Sequence, residues 1–360
     1  MNHAGRLERL GQALPALEVD ALLATDLVNV RYLTGYTGSN GAVVVGAGGA
    51  VFLTDFRYLE RVAPLREFVD VRQATQDLIR HVSTRWEELA PGASRIGFEA
   101  AHMPVSAHGV LAEAAGPVQL VPVKGAVERL RLIKDSEEVE AIRRSAALLQ
   151  PVYERLAEEG LVGRTEFDVA WRVRELLHEQ GAEGVSFDPI VASADAGALP
   201  HAEPRRRAIE AGDMVTLDIG GVLDGYCSDC TRTFATGPVA GELADAYELV
   251  LRAQMAALDA VRPGVTGVDA DAAARTVIAE AGHADHFQHG TGHGVGLQIH
   301  EDPRLSPTSA ATLEAGMVVT VEPGVYLPGL GGVRIEDLVV VTDDGCERLT
   351  GYPKELITTG

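Results

Sequence analysis

Leu7, Leu10, Leu14 and Leu17 recur at helical spacing and predict an amphipathic helix near the start of the chain. The apolar run Ala21–Ala24 predicts a short strand, and Gly41–Val45 and Val51–Thr54 predict two more around a turn at Gly46–Gly49. Further strands are expected near Val69–Val71, Arg95–Phe98 and Val118–Val121, with helix-like sequence between them. The first third therefore reads as an α/β unit ending near Pro122. Asp135 and Glu138 have the D-x-x-E form of a capping box, and Val139, Ile142, Ala146 and Leu149 mark the apolar face of the helix it opens. Thr165 and Asp168 mark a second helix start, with Gly181 as its stop. A third helix is expected from Gly241 to Arg262, ended by Pro263–Gly264. Strands fall between and after these helices. The boundary lies in 122–134, and the expected domains are 1–125 and 126–360.

Length agrees with two domains, since 360 residues is more than double the ~150 of a typical one. Lys and Arg number 31 against 52 Asp and Glu, a net charge of −21. That balance argues against a nucleic-acid partner, which needs a basic face, and favours attraction for cations, metal ions included. The longest apolar stretch, around Gly41–Leu53, is broken by glycines and falls short of the ~18–20 residues of a membrane helix. The first residues lack the apolar core of a secretory signal. Three cysteines do not suggest a disulfide scaffold. These features lead to the expectation of a soluble cytoplasmic protein with no membrane or nucleic-acid partner.

Two acidic hairpins carry the candidate chemistry. Residues 216–234 form a hairpin pattern around the two-residue turn Asp224–Gly225, which puts Asp218 and Asp229 on one sheet face, directly or diagonally opposed. Asp is a poor strand former, and two on one face repel unless something positive lies between them. A divalent metal would serve, as would exposure of that face to water. Residues 320–341 repeat the arrangement. An odd loop centred near Gly329 would bring Glu322 and Glu336 together, each embedded in apolar sequence where an unpaired carboxylate is costly. Salt bridges to Arg334 or Arg348 would answer for one glutamate better than for two.

Between the hairpins runs HGTGHGVGLQIHEDPRLSP, residues 289–307. Its glycines at 290, 292, 294 and 296 are expected to let backbone approach a ligand around His293. They match neither a dinucleotide fingerprint nor a P-loop. Imidazole with carboxylates suits Mn, Fe, Co or Zn better than calcium. Four carboxylates would balance two divalent ions, an arrangement that activates water for hydrolysis. His201 in ALPHAEP and His300 in QIHEDP could donate to an oxyanion or orient substrate; singly, each also reads as a surface histidine.

Taken together, PHAEP, LDIG, SDCTRT, HGTGHGVGL, IHEDPRLS, VEPG and GVRIED, in that order, resemble the pita-bread metallopeptidases, and most closely their proline-peptidase branch of Xaa-Pro dipeptidase (prolidase) and aminopeptidase P. NVRYLTGYTGSNG and LTDFRYLERV resemble that branch's N-terminal domain. The resemblance implies a two-domain α/β protein, with a ribonuclease-H-like, creatinase-type N-terminal domain and a pita-bread α+β catalytic domain. It implies two divalent metal ions per subunit, Mn first and Co or Zn as alternatives. Asp218 would bind one metal, Asp229 and Glu336 would bridge, and His293 and Glu322 would hold the second. Glu322 would also shuttle protons. His201 and His300 would assist substrate and the tetrahedral intermediate, Arg334 matches a position used near the site, and Arg304 one where some dipeptidases anchor a carboxylate. A homodimer is implied, with the partner's N-terminal domain reaching towards the active site.

The expected activity is cleavage of the bond between an N-terminal residue and a following proline, aminopeptidase P-like with Xaa-Pro dipeptides also cut. A strict Xaa-Pro dipeptidase remains open, since Arg304 fits either. A metal-free creatinase-like enzyme has no need of all five ligands, and an inactive binding module would be expected to lose some of them. Cys230 departs from the apolar residue usual after the bridging aspartate. Cys227 and Cys230 form a C-x-x-C, but strand geometry turns the two thiols to opposite sides, so Cys230 reads as a buried hydrophobe. Arg205–Arg207 reads as a solvated loop, with a role near a substrate carboxylate as the alternative.

Overall fold

A computed structural model describes residues 1–359 and divides the chain into two units, Met1–Arg131 and Leu132 onward. The division falls slightly later than 125/126 because the short helix Glu128–Arg131 is tied to the first unit. Asn29 donates to Glu128 at 2.8 Å and accepts from Arg131 at 2.8 Å.

The first unit holds a six-stranded sheet of β1 (Ala21–Ala24), β2 (Gly41–Gly46), β3 (Gly49–Thr54), β4 (Asp70–Gln73), β5 (Arg95–Glu99) and β6 (Gln119–Val123), in the order β4-β3-β2-β1-β5-β6. β1 pairs antiparallel with β2 and parallel with β5, and all four of its residues are buried, as its continuous apolar run requires. The first helix, His3–Ala13, buries Leu7 and Leu10. Pro15 tightens Leu14–Leu17 into a separate 3-10 turn, so the leucine stripe spans two elements.

In the second unit the capping box is complete. Asp135 Oδ1 accepts from the Glu138 amide at 2.9 Å, Glu138 Oε2 accepts from the Asp135 amide at 3.1 Å, and the helix Ser136–Ala147 follows. Thr165 caps Glu166–Glu179, and the third expected helix is Gly241–Ala260. Two further helices, Leu149–Glu159 and Gly267–Glu280, were not anticipated. The second carries the same start signal as Thr165 and Asp168, with Thr266 accepting from the Asp269 amide at 3.2 Å.

The unit's early strands are β7 (Gly184–Val185), β8 (Ile190–Ser193), β9 (Met214–Ile219), β10 (Gly221–Leu223), β11 (Tyr226–Cys227) and β12 (Cys230–Ala235). They are followed by β13 (Gly292–Gly294), β14 (Glu301–Leu305), β15 (Val318–Val321), β16 (Gly324–Leu327), β17 (Gly331–Arg334), β18 (Asp337–Val341) and β19 (Cys346–Arg348). Helices back these sheets. Leu243, Val250, Ala274 and Ile278 share a core with Val319, Val321 and Val339. Val152, Leu156, Val169 and Val173 share another with Leu217, Ile219 and Phe234.

Both acidic hairpins are present, and each changes sheet along its length. In the first, β10 and β11 turn through Asp224 and Gly225, whose φ values of 51° and 77° are those of a type I′ turn. Leu223 faces Tyr226, and Ile219 faces Cys230, so one register runs through although β9 and β12 belong to a different sheet from β10 and β11. In the second, Leu327 faces Gly331 around a loop centred on Gly329, and Val321 faces Asp337, again in one register across two sheets. The carboxylates of Asp229, Glu322 and Glu336 stand at these handovers, outside the regular ladders.

Replacing Asp135 with Ala removes the cap of the helix that opens the second unit. It is expected to cost about 1 kcal/mol, read as a lower urea midpoint of that unit; an unchanged midpoint would show that the box contributes nothing.

Candidate metal centre

The register of the second hairpin places Glu322 across from Glu336, and that of the first places Asp229 diagonally from Asp218, which faces Thr231. His293 comes from β13, wedged between β14 and β15. Two of the neighbouring glycines serve this wedge. A Cβ on Gly292 would lie 1.9 Å from Thr320 O, and one on Gly294 2.2 Å from Asp302 O. Gly290 and Gly292 also line the cavity at the centre, so the glycine run both admits adjacent strands and borders the space a ligand would enter.

His293 Nε2 lies 3.5 Å from Asp229 Oδ2 and 3.4 Å from Glu322 Oε1. One donor atom each of Asp229, His293 and Glu336 falls within 4.8 Å of the others. The His293 Nδ1–H donates to Gly294 O at 3.0 Å, which turns the Nε2 lone pair towards the carboxylates. Thr320 Oγ1 accepts from the His293 amide and donates to Glu322 Oε1 at 3.1 Å. Thr231 Oγ1 donates to Glu336 Oε2 at 2.8 Å and accepts from Arg334 Nε. Arg334 Nη2 donates to Asp218 Oδ2 at 2.7 Å, so this arginine pairs with an aspartate rather than with either glutamate. Arg348 lies instead 3.8 Å from Asp337.

Burial first, then the neighbouring carboxylates, raises the Asp229 and Glu336 carboxyls well above their ordinary range. Burial likewise pushes Glu322 up to about 7 and His293 down to about 3, so the imidazole is neutral at pH 7. Asp218 Oδ1 and Glu336 Oε1 are buried yet accept no hydrogen bond. Polar atoms in that state cost free energy unless a cation reaches them. One imidazole nitrogen and four carboxylates, two with an unused oxygen, fit divalent first-row metals.

The centre opens into a cavity of about 550 Å³ that His201, His300 and Arg304 also line. His201 is exposed on the loop after the 3-10 turn Ala194–Ala198. The His300 ring meets that of His293 edge-on at 4.5 Å, and burial, then Arg304 and His201, lowers its pKa. Arg304, opposite His293 in the β13–β14 pair, is exposed.

Sequence reading missed His289, which also lines the cavity. Its Nδ1–H donates to Gly290 O at 2.8 Å, so Nε2 accepts from Tyr326 Oη at 2.8 Å, and Tyr326 Oη accepts from Arg334 Nη1 at 2.9 Å. Burial and Arg334 push His289 down to about 4. Asp271 and Arg275, on the unanticipated helix, hold this loop. Arg275 donates to the carbonyls of Phe287 and His289, and Asp271 accepts from the Thr291 amide at 3.0 Å. The repeated histidine in HGTGH was the available signal for His289.

Arg205–Arg207 is partly solvated, but two of the three are held in ion pairs. Arg205 makes a two-point pair with the buried Glu166 and reaches Asp195, and Arg207 pairs with Asp213 at 2.6 Å. Glu166 also accepts from Ser193, closing the base of the loop that carries His201. Arg206 covers the Phe167 ring at 4.6 Å. Cys227 and Cys230 sit in different apolar clusters, and burial pushes the Cys230 thiol up to about 12.

A buried histidine–carboxylate centre open to a histidine-lined cavity suits a metal-dependent hydrolase. Residues 140–343 match the model of metallopeptidase family M24, and residues 6–133 match the creatinase/prolidase N-terminal domain. The chain is 42% identical over 352 residues to the Bacillus subtilis (strain 168) protein named uncharacterized peptidase YqhT, covering 98% of this chain and 99% of that one. A solved structure titled Xaa-Pro dipeptidase from Bacillus anthracis is 39% identical, with a TM-score of 0.96 over 99% of this chain and 100% of that one. The X-Pro aminopeptidase from Thermotoga maritima MSB8 is 30% identical, with a TM-score of 0.88 over 97% and 100%. The chain belongs to metallopeptidase family M24 and is a metallo-exopeptidase, with the two-domain creatinase–M24 architecture expected from its motifs. No described helix is long and apolar enough to cross a membrane.

Stripping the protein with a chelator is expected to lower its unfolding temperature, and Mn²⁺ at 100 times its Kd to restore about 2.7 kcal/mol. An unfolding temperature indifferent to chelator and metal would contradict a metal centre here.

Proposed function

We propose that the protein hydrolyses the bond between an N-terminal residue and a following proline, with Asp218, Asp229, His293, Glu322 and Glu336 holding two divalent ions, Mn²⁺ first. The observation that carries this reading is the pair of buried, unpartnered oxygens on Asp218 and Glu336, beside a cavity that His201, His300 and Arg304 also line. The bound ions would supply Lewis acidity that activates water and polarises the scissile carbonyl.

The chain's own groups do the rest. Glu322, adjacent to the cavity, accepts the proton of the attacking water and passes it to the departing proline nitrogen. His201 donates to the oxygen that gains charge as the carbonyl becomes tetrahedral. His300, kept neutral beside Arg304, orients the substrate chain. Arg334 holds Asp218 and, through Tyr326, the neutral His289. Proline's closed ring and missing N–H make it a distinct shape for a pocket beyond the scissile bond. Names among the relatives point the same way, dipeptidase for one and aminopeptidase for another.

A strict dipeptidase is favoured by one feature, the exposed Arg304 at the cavity, which suits the carboxylate of a dipeptide. We favour aminopeptidase action that includes dipeptides, in a cytoplasmic homodimer. Three free cysteines agree with a reducing compartment.

After chelation and Mn²⁺ add-back, cleavage is expected for Xaa-Pro and Xaa-Pro-Yaa peptides and not for Xaa-Ala-Yaa. Cleavage of the alanine peptide at equal rate overturns the proline assignment, and cleavage of the dipeptide alone selects the strict dipeptidase. His201→Ala should lower kcat by ~10²-fold with KM little changed; a change confined to KM would remove His201 from the oxyanion role.

A further inference from the structure

Behind the metal centre, on the face of β12 opposite Thr231, lies a buried guanidinium that the proposed chemistry does not use. Arg232 has a side chain only 2% exposed. Its Nη1 donates to the backbone carbonyl of Glu336, to Thr231 O at 2.9 Å and to Cys230 Sγ at 3.2 Å. Its Nη2 donates to Asp337 Oδ1 at 2.8 Å and Tyr352 O at 2.6 Å, and its Nε to Pro353 O at 2.8 Å.

Four of these contacts fall on the segments that present Asp229 and Glu336: Cys230 and Thr231 on one, Glu336 and Asp337 on the other. Asp229 precedes β12, and Glu336 precedes β18, immediately before Asp337. The two segments belong to different sheets, and the Glu336 amide joins them by donating to Thr231 O at 3.1 Å. Arg232 donates to that same carbonyl and to Glu336 O, so it spans the gap between the two segments. Asp337 fixes the other edge of the fork. Its buried carboxylate accepts from Arg232 and Thr350 on Oδ1, and from Gln254 and Lys354 on Oδ2. Burying an ion pair this deeply is not in itself a source of stability, because desolvation offsets most of the attraction. A planar fork of donors does, however, fix the relative position of the backbone segments it joins.

We infer that Arg232, anchored by Asp337, is a positioning residue that sets the separation of Asp229 and Glu336 and through it the affinity for metal. The inference rests on the metal-binding reading above. Lysine in its place keeps the charge but cannot reach Glu336 O, Asp337 and Tyr352 at once. Residues behind metal ligands typically alter affinity by 10–100-fold when changed.

The test is titration of chelator-stripped protein with Mn²⁺, counting the free ion by electron paramagnetic resonance. Arg232→Lys, with its far-UV circular dichroism unchanged, is expected to bind Mn²⁺ ~10–100-fold more weakly than wild type. Lys354→Met, which removes the cation on the other oxygen of Asp337 but leaves every bond from Arg232 to the backbone of the two ligand-bearing segments in place, should lower thermal stability and leave Mn²⁺ affinity intact. Wild-type affinity in folded Arg232→Lys, or equal weakening in both variants, overturns the inference. If Arg232→Lys does not fold, Asp337→Asn tests the same anchor, with weaker Mn²⁺ binding expected and unchanged binding contradicting it. Failure of the wild type to bind Mn²⁺ would overturn the metal reading itself, a result distinct from a wild type that binds and a variant that binds equally well.

Discussion

Like charges buried against one another are the constraint from which the rest of the second unit follows. Asp229, Glu322 and Glu336 converge on one neutral imidazole, Asp218 lines the same cavity, and Arg334 offsets only part of their charge. Left alone, such a cluster protonates or disperses. It persists because the surrounding structure holds four of the five members from behind: Thr231 on Glu336, Thr320 on Glu322, Gly294 on His293, Arg334 on Asp218.

The hairpins explain how a chain can assemble such a centre. A hairpin that remained in one sheet would spend every backbone group on its ladder. Here each hairpin keeps its register while transferring from one sheet to another, and three of the carboxylates stand where the ladder is interrupted. Regular pairing on both sides fixes the spacing across the gap. The centre therefore depends on rigid strands, whereas His201 and Arg304 are exposed at the cavity.

Much of this was legible in the sequence because it follows from counting. The turn at Asp224–Gly225 and the loop centred on Gly329 set which carboxylates face each other, and period-two geometry did the rest. The capping box at Asp135 was equally local. What escaped was non-local. His289 matters because Tyr326 and Arg334 meet it from another hairpin, and Arg205 and Arg207 are tied down because Glu166 and Asp213 face them. The glycines around His293 were visible, but their cause, the closeness of Thr320 and Asp302, depends on strand packing that composition does not encode. The helix Gly267–Glu280 is a different case, since Thr266 and Asp269 carried a local signal that went unread.

The central claim is that this cluster exists to hold two cations. The most direct measurement is the anomalous scattering of crystals soaked in Mn²⁺. The expected map has two peaks ~3.5–4 Å apart, both within ligand distance of Asp229 and Glu336. A map with no peak among the five donors, or with manganese bound only elsewhere, would contradict it.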